Sequence, residues 1–316
     1  IPSASTLAVT SNQGPSEDPI HVLHVCADDA GGGAARAAYR VHQSLTGLAP
    51  EFGIRSSMLV ERRRTSDSAV HTIEPSRVGA LTLRVAAELV GQEKRLLRTS
   101  NPVLHSAARI PSRALQRIEQ VDPDVVLLHW LGDRTMSIRQ VGQLLNGPRP
   151  VAWLLHDSWA FCGAEHHPNG PEEARFMHGY SPENRLSGEG GLDLNRSTWA
   201  RKRKHWTRPA HLIGPSQWMA QQAGRSALMR TWPASVIPNP LDVTWWGSLT
   251  RAEARHLLDI PQDRRIVLFG ADGGERNSLK GGDLLRSALP RLIEQLTDAG
   301  QAQPALLTFG GPPGVE

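Results

Sequence analysis

Residues 20–45 read IHVLHVCADDAGGGAARAAYRVHQSL. An apolar run, Ile20–Cys26, gives way to Ala27-Asp28-Asp29-Ala30 and three glycines, and then to a helix-forming stretch, Ala34–Leu45. Strand, glycine turn and helix in that order open a βαβ unit. The same grammar recurs downstream. A β-rich run covers Ile54–Val60, and Asp124–Trp130 (DVVLLHW) is nearly continuous apolar sequence, as expected of a strand buried on both faces. Ser137–Leu145 reads as a helix closed by Asn146-Gly147-Pro148, and Val151–Leu155 as another buried strand that leads into His156-Asp157. Val78, Leu81, Val85 and Leu89 lie on one face of an expected amphipathic helix. After a polar stretch rich in Gly, Pro, Glu and His at 163–195, the rhythm resumes with a strand at Ala210–Ile213, a helix from Ser216 and a strand at Ser235–Ile237.

Pro238-Asn239-Pro240 is a strong breaker and the candidate hinge. Beyond it come a helix at Arg251–Leu258, a strand at Arg265–Phe269, a helix at Gly282–Leu296 and a strand at Ala305–Phe309. The expected organisation is a loose leader at 1–19, a Rossmann-like domain at 20–238 with a long loop at 163–195, and a second, incomplete parallel-sheet domain at 239–316.

Composition narrows the class. The 316 residues are 39% hydrophobic and 21% charged, enough apolar material for packed cores and too much for a disordered chain. Two cysteines, Cys26 and Cys162, offer no disulfide framework. No apolar run approaches the roughly 20 residues of a membrane helix, and residues 1–35 lack the Lys or Arg of a signal-peptide start. The expectation is a cytoplasmic protein. Its formal charge of +4 favours anionic partners. Eight cations against two acids between Arg77 and Arg117, and the run Arg201-Lys202-Arg203-Lys204-His205-Trp206, read as solvated helix faces or as a surface for an anionic partner.

Several residues carry candidate chemistry. A glycine turn before a helix lets backbone N–H groups approach a phosphate, which makes Gly32 and Gly33 candidate contacts, although a tight turn explains them as well. The dinucleotide pattern G-x-G-x-x-G is not met, because Arg36 stands in its third place; Glu61, closing the second strand, keeps a nicotinamide-dependent oxidoreductase as a minor alternative. His156 and Asp157, with His129 at the end of the neighbouring strand, fall at the carboxyl edge where open α/β sheets bind ligands. Lys280, one of only four lysines, heads a glycine turn at a helix start and could clamp a phosphate. Glu165, His166, His167 and His178 have metal-ligand types without metal-ligand spacing, so no metal site is expected.

Taken in order, HVLHVCADDAGGGAARAAYRVHQSL (21–45), DVVLLHW (124–130), LLHDSWAFCG (154–163), IGPSQWMA (213–220), VIPNPLD (236–242) and LKGGDLL (279–285) resemble family 4 of the retaining glycosyltransferases, and within it the bacterial exopolysaccharide branch that includes the colanic-acid enzymes. The resemblance implies the α/β GT-B fold: two Rossmann-like parallel-sheet domains, here with the second incomplete. It implies transfer of a sugar from a nucleoside diphosphate sugar to a hydroxyl acceptor with retention, in polysaccharide or glycolipid synthesis. The nucleotide sugar is a co-substrate, and no cofactor, metal or nucleic acid is required.

In that scheme His156 touches the donor sugar, and Lys280 neutralises the departing diphosphate. Gly32 and Gly33 lie under the diphosphate or the acceptor, His129 and Asp157 line the cleft, and Asn239 and Asp242 form the hinge. Arg276 and Gly281 join Lys280; Arg276 would replace the family arginine that is absent here, with Ala271 at its usual place. The basic stretch would suit an enzyme working at the inner face of an anionic membrane on a lipid-linked saccharide. The family's paired-glutamate segment has no counterpart before Glu316, so the alternative expectation is a truncated, non-catalytic sugar- or nucleotide-binding remnant.

Overall fold

The structure, a computed structural model, describes residues 18–73, 97–99, 101–168, 175–271 and 278–310. The chain divides into two compact units, Ile1–Pro240 and Leu241–Glu316. The helix expected over Val78–Leu89, the leader up to residue 17 and Arg276 lie outside the described residues, as do Lys94, Arg95 and most of the Arg77–Arg117 basic stretch.

Among the described residues of the first unit, strands β1 (Ile20–Asp28), β2 (Ile54–Arg62), β3 (Val70–Thr72), β5 (Val125–Leu128), β6 (Val151–Leu154), β8 (His211–Gly214) and β9 (Ala234–Val236) form one sheet in the order β3-β2-β1-β5-β6-β8-β9. Every pairing in it is parallel. The chain runs outward from β1 to β3, returns to lay β5 on the other side of β1, and runs outward again. The order reverses between β1 and β5, and at such a switch point the loops leaving neighbouring strands part to open a crevice at the carboxyl ends. Helices lie between β1 and β2, β5 and β6, β6 and β8, and β8 and β9, because parallel pairing demands a crossover, whereas β2 reaches β3 through the loop 63–69.

Alternation along β1 assigns its two faces. Leu23 and Val25 join the larger core with Leu59, Val126, Leu128, Trp153 and Leu155. Cys26 faces the other way, with Met58, Val60 and Val70 against Ala38 and Tyr39 of helix α1 (Gly33–Phe52). The period of two puts His24 on that same α1 side. Helix α1 is longer than the expected Ala34–Leu45, ending only where Gly53 takes a left-handed conformation (φ 59) and its N–H bonds the Ala49 carbonyl.

The stretch at 163–195 is more structured than its polar sequence implies. It holds a short helix, Arg175–His178, and strand β7 (Gly190–Gly191) pairs antiparallel with β4 (Leu97–Arg98). Arg175 fixes it by a fork to Asp193, with hydrogen bonds of 3.1 and 2.7 Å.

The basic run at 201–206 departs from its reading in one decisive residue. Lys202, on the helix Leu194–His205, is fully buried. Its ammonium donates to the carbonyls of Trp159, Cys162 (3.1 Å) and Gly163 (2.8 Å), and sits 3.9 Å above the Trp159 ring. The run is therefore not a continuous cationic surface: one of its charges ties the loop after β6 to the core.

The second unit contains the helix Val243–Trp246, whose first-turn N–H groups at Thr244 and Trp245 bond the Asp242 carboxylate at 3.0 Å, and the helix Arg251–Leu257, opened by a Thr250–Glu253 capping box. Strands β10 (Ile266–Gly270) and β11 (Ala305–Phe309) pair in parallel through the helix Gly282–Asp298.

Burial lowers the Lys202 ammonium to about 7 from its ordinary 10.5, against the pull of the nearby Cys162 and Glu165. The unfolded chain then holds this proton at pH values where the folded one has released it, so the Lys202 contribution to stability grows as pH rises from about 7 to 10.5. Lys202→Met removes the donors of three carbonyls and is expected to cost about 2 kcal/mol at pH 7 in urea unfolding. That deficit should widen from pH 7 to 10; a deficit constant with pH would contradict the assignment.

Candidate functional site

The carboxyl ends of β1, β5 and β6 deliver Asp28-Asp29, His129-Trp130 and His156-Asp157 to one edge. Pairing continues past the strand ends and fixes them there: His129 N–H bonds Val25 O at 2.9 Å, Ala27 N–H bonds Trp130 O at 2.8 Å, and Leu155 N–H bonds Ile213 O at 2.9 Å.

His24 stands on β1, and His129 and His156 just past the ends of the adjacent strands β5 and β6. His24 Nδ1 lies 2.9 Å from His129 Nε2, and His129 Nδ1 lies 2.9 Å from His156 Nε2. Both ring pairs are stacked at 5.2 Å between centroids. His24 and His129 are fully buried, whereas His156 is half-buried at the mouth. Burial and the neighbouring His42 lower the His24 imidazole to about 3; burial, with His24 and His156, holds His129 well below its usual value; and burial brings His156 to about 4 despite the Asp157 charge. All three rings are neutral at pH 7.

Asp157 has its own partners. Its Oδ2 accepts from Trp130 Nε1 at 2.7 Å and lies 2.5 Å from His166 Nδ1, while Oδ1 accepts from Trp159 N–H at 3.0 Å. His166 Nε2 is 2.8 Å from Ser106 Oγ. The Asp–His–Ser order is that of a nucleophilic triad, but Ser106 is only 1% exposed, so the hydroxyl anchors the ring and is not presented to a substrate. Burial raises the Asp157 carboxyl, and the His166 contacts and Trp159 N–H outweigh it, for a net lowering. His129, Trp130, His156, Asp157 and His166 line a small recess with room for about one water molecule.

The glycine turn is built on a carboxylate. Asp28 Oδ1 accepts the N–H groups of Ala30 (2.9 Å) and Gly31 (2.6 Å), and Oδ2 accepts from Arg62 (3.2 Å) and Arg64 (2.8 Å). A Cβ on Gly31 would stand 2.5 Å from Asp28 Oδ2, which is why that position holds glycine. Burial pushes Asp28 up, but its backbone and arginine donors bring it to about 2. The turn's first two N–H groups are thus spent internally. Gly32, at φ 90, and Gly33 are exposed at the start of α1 and remain the phosphate-facing candidates.

Of the other expected site residues, His129, His156 and Asp157 come together, and Glu165 does not join them: Tyr180 Oη donates to Glu165 inside the loop. In the second unit, Lys280 is exposed at the end of a short 3₁₀ turn, and Gly281, at φ 77, caps the following helix. Asp242 serves as a helix cap and Asn239 is exposed.

His24, His42, Ser56, Asp67, Ser106 and Lys202 were not singled out from sequence. One signal was present: two histidines in an apolar strand (HVLH, 21–24) need buried partners, and the adjacent strand supplies Ser56-Ser57. His21 Nε2 is 2.7 Å from Ser57 Oγ, and Ser56 Oγ is 3.1 Å from His24 Nε2.

No protein-family model and no curated protein sequence matches the chain. Among solved structures it is similar to WaaG, a glycosyltransferase involved in lipopolysaccharide biosynthesis, with a TM-score of 0.46 and 10% identity over 92% of this chain. The chain spans 63% of the length of that protein. Among the described residues no helix is long and apolar enough to cross a membrane.

Because the three imidazoles bind protons only well below 6.5 when folded, the unfolded chain takes up protons first as pH falls. Their contribution to stability is complete above pH 6.5 and drains away toward pH 4. Thermal unfolding should show a midpoint that drops between pH 6.5 and 5, above the ordinary carboxylate range; a flat midpoint across that interval would contradict burial of neutral rings.

Proposed function

We propose that this chain transfers a sugar from a nucleoside diphosphate sugar to a hydroxyl acceptor, with retention and without a required metal, as a GT-B enzyme of polysaccharide or glycolipid synthesis. The observation that carries the reading is the meeting of His129, His156 and Asp157 at the carboxyl edge beside the β1/β5 switch point, in a chain whose six motif segments follow the order of the family-4 glycosyltransferases. A neutral imidazole at this edge can hold a sugar or acceptor hydroxyl by hydrogen bonding. The exposed glycines at the start of α1 suit an anionic group, by the fixed partial charge of free helix N–H groups. In the second unit, Lys280 and Gly281, with Arg276, would hold the diphosphate and offset the charge that grows on it as the glycosidic bond breaks. Asn239 and Asp242 would form the hinge. The basic stretch 77–117 would hold the enzyme at an anionic membrane, giving access to a lipid-linked acceptor.

Incubating the protein with a panel of nucleoside diphosphate sugars and hydroxyl acceptors tests this directly. Release of nucleoside diphosphate together with a product of retained anomeric configuration is expected; binding without transfer or donor hydrolysis would leave a binding protein instead. His156→Ala should lower kcat by about 100-fold. Lys280→Ala should weaken nucleoside diphosphate binding by roughly 1.5–3 kcal/mol, the range for a hydrogen bond to a charged group. Unchanged affinity would remove Lys280 from the site.

A further inference from the structure

The stacked histidines do not end at His24. Ser56 Oγ lies 3.1 Å from His24 Nε2 and 2.7 Å from His42 Nδ1, and His42 Nε2 lies 3.3 Å from Asp67 Oδ2. Asp67 also accepts from Tyr39 Oη at 3.1 Å and from Ala69 N–H at 2.9 Å. Five hydrogen bonds therefore run without a gap from Asp67, whose side chain is 25% exposed, through His42, Ser56, His24 and His129 to His156.

Such a chain has two orientations, and only one suits its end. A carboxylate only accepts, so His42 must present Nε2–H to Asp67. A neutral His42 then accepts at Nδ1 from the Ser56 hydroxyl. Ser56 Oγ in turn accepts from His24 Nε2–H, His24 Nδ1 from His129 Nε2–H, and His129 Nδ1 from His156 Nε2–H. Every buried donor and acceptor is used once. The opposite orientation would set a bare Nε2 lone pair of His42 against the Asp67 carboxylate. His156 is left with an unprotonated Nδ1, for which no described residue is a partner.

We propose that Asp67, His42, Ser56, His24 and His129 are positioning residues that hold His156 in its Nε2–H tautomer and carry away one proton taken up at its Nδ1. The inference rests on the glycosyl-transfer reading only for the identity of the group that gives up the proton. In the transfer, the bond from the sugar to the diphosphate breaks and its electron pair leaves on the diphosphate, the acceptor O–H bond breaks while its oxygen keeps the electron pair for the new C–O bond to the sugar, and an N–H bond forms at His156 Nδ1. The Nε2 proton of His156 passes to His129 Nδ1, that of His129 to His24 Nδ1, that of His24 to Ser56 Oγ, and the Ser56 hydroxyl proton to His42 Nδ1. His42 is then an imidazolium paired with the Asp67 carboxylate; once product has left, the protons step back along the same bonds, the Nδ1 proton of His156 passes to solvent at the mouth, and the starting orientation is restored. Asp157, although adjacent to His156, does not intercept the charge by pairing with it, because its oxygens are engaged by His166, Trp130 and Trp159. Burial lowers His42 as it does the other rings, opposed by Asp67, so the resting chain is neutral.

The tautomers are directly readable. In long-range ¹⁵N–¹H correlation spectra of the ¹⁵N-labelled protein at pH 7.5, His24, His129 and His156 should each show a protonated Nε2 and an unprotonated Nδ1. A protonated Nδ1 at any of the three overturns the proposal, and this readout needs no variant and no turnover, so it stands or falls separately from glycosyl transfer. In Ser56→Ala, which removes the hydroxyl oxygen that joins His42 to His24, the link to Asp67 is cut. The less costly arrangement then leaves a lone pair, not an N–H, unpaired at His24 Nε2, and the Nδ1–H form of His156 should appear. An unchanged His156 spectrum in the folded variant would show that Asp67 does not set its tautomer.

Discussion

A parallel sheet sets its strands about 4.8 Å apart, and polar rings buried at their carboxyl ends must satisfy one another at that spacing or lose their hydrogen bonds. The rest of the site depends on this constraint. His24 on β1, and His129 and His156 just past the ends of β5 and β6, lie on either side of the switch point, and their centroids repeat at 5.2 Å. His24 and His129 are engaged through both ring nitrogens and His156 through Nε2 alone, so position and protonation are coupled across the edge. An apolar residue in place of His129 would strand a nitrogen on each side of the gap, His24 Nδ1 and His156 Nε2.

The frame around the ladder is held by charges used internally. Lys202 gathers three carbonyls of the loop that follows His156. Asp28 gathers the first N–H groups of the glycine turn and two arginines. Asp157 orients His166 and Trp130. In each case a buried or half-buried charge fixes a loop that carries a functional candidate, which is how mobile connections come to present side chains in defined places. His156 is thereby left as the half-buried end of an otherwise closed hydrogen-bond network.

Much of this fold was legible from sequence. The continuous apolar runs of β1, β5 and β6 announce buried parallel strands, and the glycine turn announces the start of α1. The placing of His129 and His156 at one carboxyl edge was legible too, because both follow apolar strands; their hydrogen bond was not. The depth of the network was not: His24 reads as one polar residue inside a strand, and its partners Ser56, His42 and Asp67 lie 18 to 43 positions away, beyond any local period. Lys202 was hidden for a different reason. Embedded in Arg201-Lys202-Arg203-Lys204, it looks like part of a solvated face, and only the three-dimensional position of the loop at 159–163 turns it inward. The polar composition of 163–195 likewise conceals the Arg175–Asp193 fork that pins it.

On the proposed function, chemistry takes place where β1, β5 and β6 end, at the Nδ1 of His156. The most direct measurement is a crystal structure of the protein with a nucleoside diphosphate sugar and a hydroxyl acceptor. A substrate hydroxyl is expected within about 3 Å of His156 Nδ1. Ordered substrate away from that edge, or a His156 Nδ1 engaged by the protein itself while substrate is bound, would contradict it.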